Sequence, residues 1–151
     1  MKTFFIVWSD ELKTGIPILD EQYRGLVSII NSFYYHRADT NTDISRILIP
    51  TAEMFKGYVK INFYTIEKLL MQASYPDLEK YKKFHVEVLK KISTVDKKYR
   101  AARDADGMLR FLKNYWLKFI KEDEFMVIHY LKQFYSTHPP LDEEDDDEFV
   151  G

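Results

Sequence analysis

Apolar residues recur three and four positions apart over most of this chain, the period of a helix that buries one face. Leu26, Ile29, Ile30 and Phe33 make the first such stripe, and Asp20 ahead of them is a residue type that caps a helix start. This helix is expected to fade between His36 and Asn41, where Ala38–Asp43 reads ADTNTD, a polar loop. A second run is predicted from after Asp43 to about Ala73, with Ile47, Met54, Phe55, Tyr58, Val59, Asn62, Ile66, Leu69 and Leu70 in register. Pro50 should kink it or mark its true beginning, because proline lacks the N–H that a helix interior uses. A third helix should carry Pro76 in its first turn and end near Arg103, burying Leu78, Tyr81, His85, Val88, Leu89 and Ile92. Asp104-Ala105-Asp106-Gly107 breaks it. A fourth is expected from Met108 to about Tyr135, with Leu109, Leu112, Tyr115, Phe119, Ile120, Met126 and Tyr130 inward, stopped by His138-Pro139-Pro140.

Residues 1–19 look extended around the turn Thr14-Gly15-Ile16-Pro17. Four amphipathic helices, short connections and no strand-like alternation predict an all-α, antiparallel up-down-up-down four-helix bundle, strapped by the N-terminal segment. The domain is expected to span residues 1–137, with 138–151 as an acidic disordered tail.

Charge changes this picture at one end. Asp142 to Glu148 is seven consecutive acids within a chain whose formal net charge is −2. Setting those seven aside leaves 17 acidic against 22 basic side chains, so the bundle is mildly basic. Like charges in a run repel one another, which predicts a solubilising tail; the alternative is that it screens, or folds back on, the bundle. The apolar run Phe4–Trp8 is too short for a signal segment, and no stretch approaches a membrane span, so a cytoplasmic protein with no membrane partner is expected.

Composition removes much chemistry. There is no cysteine, hence no disulfide, thiolate metal site or cysteine nucleophile, and only four histidines are present. The five glycines are isolated, so no phosphate-cradling or dinucleotide loop is available. No HExxH or GxSxG occurs. Lys97-Lys98-Tyr99-Arg100 with Arg103 reads as a solvated helix face, too small for a nucleic-acid surface.

Trp8, Thr14-Gly15-Ile16 and Ile18-Leu19-Asp20-Glu21-Gln22 resemble an opening pattern W…TGI…ID-x-QH. Tyr58-x-x-x-Asn62-Phe63 with Glu67 resembles Y-x-x-x-HF-x-x-EE. Tyr75-Pro76, Tyr81 and His85 sit at the spacing of YP-x-x-x-x-H-x-x-x-H, and Tyr115 to Glu124 is similar to W-L-x-x-HI-x-x-x-D. These patterns, in this order from Trp8 to about Glu124, resemble the hemerythrin family. The resemblance implies a four-helix bundle that holds two irons through five His, one Glu and one Asp, most members carrying or sensing oxygen.

Position by position, the resemblance puts Tyr23, Asn62, Ile66, Tyr81, His85, Phe119 and Glu124 where those seven ligands stand. One ligand is kept and one is conservatively changed. Aligning the last stretch on Trp116 instead would place Ile120 and Phe125 there. Glu67 matches the second acid of its pair, and His36, His129 and His138 match no ligand. The two-iron site is therefore expected to be degenerate, since Ile66 and Phe119 cannot offset buried cations.

His85 reads first as a neutral core histidine bonded to Tyr23, Asn62, Tyr81 or Glu124. The alternative is a residual single-iron site of Tyr81, His85 and Glu124, with Tyr23. The function expected is a metal-free hemerythrin-like module with a protein partner, used for binding, scaffolding or regulation. The alternative is an iron- or oxygen-linked protein using the residual set. An acid–base enzyme on Glu124 and His85 lacks any motif to orient a substrate, so no catalytic residue or cofactor is expected. Phe33-Tyr34-Tyr35 and Phe134-Tyr135 are candidate contact aromatics.

Overall fold

The computed structural model describes residues 5–39 and 43–139, and among them every regular element is helical. A single 3-10 turn, Asp10–Leu12, precedes α1 (Pro17–His36), α2 (Ser45–Gln72) and α3 (Leu78–Ala102). The fourth arm is α4 (Ala105–Asn114), a wide π-helical stretch (Tyr115–Asp123), and α5 (Phe125–Thr137). α1 packs on α2 and α2 on α3, and α4 closes the ring against α1 and α3. The four-arm helical bundle predicted from periodicity is the fold observed.

Local chemistry fixes the ends of the arms. Pro17 begins α1, where its missing N–H is no loss. Asp20 lies inside the first turn rather than capping it; its carboxylate accepts the Thr14 N–H at 2.6 Å and the Thr14 hydroxyl at 2.8 Å. The helix thus starts within the stretch expected to be extended, because the Thr14 clamp holds the turn ahead of it. Arg103 ends α3 in the left-handed region at φ 52°, and Asp104 caps α4 by accepting the Gly107 N–H at 2.9 Å. Gly107 is therefore within α4 and not in the break. A Cβ there would run into the Tyr99 ring and the Asp104 carboxylate, so glycine lets α3 and α4 meet closely.

Pro50 lies inside α2, which begins five residues earlier, and Pro76 precedes α3 instead of sitting in its first turn. Pro50 is on the exposed side of α2, where water can satisfy the carbonyl that its ring leaves without a donor. The strap is real from residue 5 onward. Asn31 accepts the Phe5 and Ile6 N–H groups at 2.9 and 2.7 Å and donates to the Ile6 carbonyl at 2.8 Å. Phe5 stacks on Tyr34, and the Lys113 ammonium lies over the Phe5 ring. The acidic run 142–148 lies outside the described residues.

The core holds Leu19, Leu26, Ile30, Phe33, Leu48, Phe55, Val59, Ile66, Leu70, Leu112 and Leu131 among its most enclosed side chains. Three expected core residues are out: Met54 is 55%, Tyr58 38% and Met126 69% exposed. Val127 and Leu131 face the core in place of Met126, because the wide turns before α5 shift the register of every later side chain. Of the contact aromatics, Phe33 is core, Tyr35 is exposed, and Tyr34, Phe134 and Tyr135 are half-buried.

Candidate functional site: a buried carboxyl between two tyrosines

Each arm contributes to one polar cluster inside the bundle. Tyr23 comes from α1, Asn62 and Ile66 from one face of α2, Tyr81 and His85 from one face of α3, and Phe119 and Glu124 from the fourth arm. All seven are buried. Spacings of four keep the pairs on α2 and α3 aligned. Phe119 and Glu124 are five apart, which ordinary 3.6-residue turns would send to different faces. The wide turns bring them together, and the Glu124 N–H donates to the Phe119 carbonyl at 2.9 Å.

Glu124 is completely enclosed. The Tyr23 hydroxyl donates to its Oε2 at 2.8 Å and the Tyr81 hydroxyl to its Oε1 at 3.1 Å. A buried carboxyl without partners is costly, and the two phenols offset that cost. Burial, then the charge of Glu124 and the bonds to it, push both tyrosine pKa values far above the ordinary phenol. Both therefore remain protonated donors. Tyr115, one turn before Phe119, is also buried with its pKa raised by burial and by Glu124, and its hydroxyl has no hydrogen-bond partner.

His85 differs from expectation. Its ring lies flat on Phe63, centroids 3.7 Å apart and planes 2° from parallel, and Tyr81 meets it edge-on at 4.2 Å. Neither ring nitrogen makes a hydrogen bond. Nδ1 is 3.4 Å from Glu67 Oε1 and Nε2 is 3.7 Å from Glu124 Oε1. Stacking fixes the imidazole plane, and it stays in place between two carboxylates without bonding Tyr23, Asn62, Tyr81 or Glu124. Asn62 points elsewhere: its amide donates to Gln22 Oε1 at 3.0 Å, while Gln22 donates to Thr65 at 2.8 Å.

The structure thus brings Tyr23, Tyr81 and His85 around Glu124, fills the neighbouring volume with Ile66 and Phe119, and turns Asn62 toward Gln22. Glu67, Phe63, Tyr115 and Gln22 belong to the cluster and were not picked out as members. Their signal lay in the matched patterns, where Gln22 precedes Tyr23, Phe63 follows Asn62, Glu67 follows Ile66, and Tyr115 lies four before Phe119. Among the described residues, no three His, Asp or Glu side chains gather as a metal ligand set.

A second buried charge lies away from this cluster. Asp96 on α3 is held by Lys56 at 2.5 Å and Arg100 at 2.9 Å, and Arg100 also reaches Glu53 at 2.9 Å. The basic stretch is therefore partly tied into the bundle, with Arg103 bound to Asp43.

No protein-family model matches the chain. Bacteriohemerythrin of Stenotrophomonas maltophilia (strain R551-3) is 27% identical over 112 residues, covering 74% of this chain and 71% of that protein. Bacteriohemerythrin of Pseudomonas aeruginosa (strain LESB58) is 29% identical over the same shares. A crystal structure of a hemerythrin carrying one leucine-to-alanine substitution superposes with a TM-score of 0.68, covering 85% of this chain and 98% of that one at 19% identity.

Proposed function

We propose that this hemerythrin-like chain works without a two-iron centre, as a binding, scaffold or regulatory module for another protein. The observation that carries this is Glu124, whose carboxyl is engaged by the hydroxyls of Tyr23 and Tyr81, both standing at ligand-equivalent positions. Two buried cations would need anionic bridges and several imidazoles. Ile66 and Phe119 carry no donor atom, the Asn62 amide is turned to Gln22, and His85 is the one imidazole at hand. This set does not fit two irons. Ile66 and Phe119 pack instead as core, and Phe119 touches the rings of Phe63, Phe84 and Tyr115.

The protein-binding part of the reading is supported by α2. Met54, Ile61, Tyr64 and Met71 stand exposed at spacings of seven, three and seven, one stripe along its outward side. Loading the protein with ferrous iron under argon and then admitting air tests the proposal. The expected spectrum has no oxo-bridge absorption; its appearance would overturn the proposal.

One observation favours a residual single-iron site. Both His85 ring nitrogens lack a hydrogen bond and lie near two carboxylates. Against it, the hydroxyls of Tyr23 and Tyr81 are already engaged on Glu124, the carboxylate that such a site would need. A ferric titration separates the two readings: a coloured tyrosinate band, lost in Tyr81→Phe and His85→Ala, supports the residual site. A colourless protein supports the metal-free module.

A further inference from the structure

Apart from the buried cluster, a long groove runs between α3 and the fourth arm. It encloses about 750 Å³, within the range of ligand pockets. Val88, Ile92 and Val95, one stripe on α3, line one wall, and Phe111, Tyr115 and Phe119 line the other. Along α3 the groove extends from Phe84 to Tyr99, about 22 Å at the helical rise of about 1.5 Å per residue. Its length and its apolar walls suit a single extended alkyl chain.

Charge at the rim narrows the chemistry. Lys91, Arg110 and Lys118 line the groove, and none of them makes an ion pair with any described residue. The two acids of the groove, Glu87 and Asp123, lie toward the Phe84 end, and Glu87 is already paired with Lys90. Arg110 is at the opposite end, beside Tyr99 and Asn114, with its guanidinium available for a two-point bond to a carboxylate.

We infer that this groove binds a long-chain carboxylate, its alkyl chain along the Val88–Ile92–Val95 stripe and its head at Arg110. An apolar body satisfies the aliphatic and aromatic walls, and one anionic head answers the cation farthest from Glu87 and Asp123. A dianion or a polar sugar would leave those walls unmatched. The inference rests on the groove alone and is independent of whether the buried cluster ever holds metal.

Oleate is the probe, titrated calorimetrically into the full chain below the concentration at which it forms micelles. One oleate per chain is expected, with a Kd on the order of micromolar. Arg110→Ala should weaken it by about tenfold, the scale of one charge-assisted contact, and oleyl alcohol should bind the native protein about tenfold more weakly than oleate. Val88→Trp should abolish binding by filling the slot, with Arg110→Ala standing as the independent check if that variant does not fold. Absence of saturable binding overturns the inference, as does equal binding of oleate and oleyl alcohol with no effect of Arg110→Ala. A synthetic peptide of residues 142–151 that binds the groove where oleate does not would also overturn it.

Discussion

Glu124 governs the interior as a single acid with two phenolic donors. Replacing Tyr23 by Phe leaves Oε2 without its 2.8 Å bond in a fully enclosed place, so destabilisation of about 1–3 kcal/mol is expected in urea denaturation. Tyr81→Phe should cost less, since its bond is longer and its side chain lies nearer the surface. In the double variant the losses should not add, because both bonds end on one carboxyl. The same tyrosines set a pH dependence. Tyr23, Tyr81 and Tyr115 have folded-state pKa values above the ordinary phenol value of about 10, so the folded state keeps protons that the unfolded chain releases. Their contribution is fully present below about pH 10 and is lost as pH rises beyond it. An alkaline titration should show these three of the 11 tyrosines ionising only together with unfolding, read by tyrosinate absorbance against circular dichroism. Smooth ionisation of every tyrosine in a folded protein would contradict the enclosed cluster.

Among the elements, the fourth arm is the one whose geometry does most for the cluster. Its nine wide-turn residues, Tyr115–Asp123, bring Glu124 over Phe119 and deliver Val127 and Leu131 to the core. Val127→Ala and Leu131→Ala test that delivery directly, with Lys118→Ala and Lys121→Ala at exposed positions of the same arm as controls. Each buried aliphatic contributes about 1.5–3 kcal/mol, so either core variant should lower the melting midpoint far more than either lysine variant. At the start of the same arm, Asp104→Ala removes the acceptor of the Gly107 N–H and should cost about 0.5–2 kcal/mol. This arm also shows where the sequence could be read and where it could not. The stripes of α1 and α3 were legible because their periods stay at 3.6. Met126 was misplaced because a change from 3.6 to wider turns leaves no mark in residue type. The five-residue spacing of Phe119 and Glu124 was visible, but only the backbone explains how both face inward. Asp96 was missed for another reason: its partners Lys56 and Arg100 lie on α2 and one turn along α3, so its burial depends on a tertiary pairing.

At the scale of the whole molecule, four arms enclose one carboxyl, one imidazole and two protonated phenols, while α2 presents Met54, Ile61, Tyr64 and Met71 outward. No described helix is long and apolar enough to cross a membrane. If the outward side of α2 receives a protein partner, Ile61→Asp with Tyr64→Ser should abolish capture of that partner and leave the melting curve close to native, since both side chains are exposed. The seven positions named from order and spacing are all buried, but how they pair was not legible, because Tyr23 and Glu124 are 101 residues apart. The reading as a whole turns on Glu124, whose carboxyl is engaged by the hydroxyls of Tyr23 and Tyr81 in place of a two-iron centre. Elemental analysis of protein purified without chelator, from cells grown with ample iron, addresses it most directly. Iron far below one atom per chain is expected, and two irons per chain would overturn the metal-free reading.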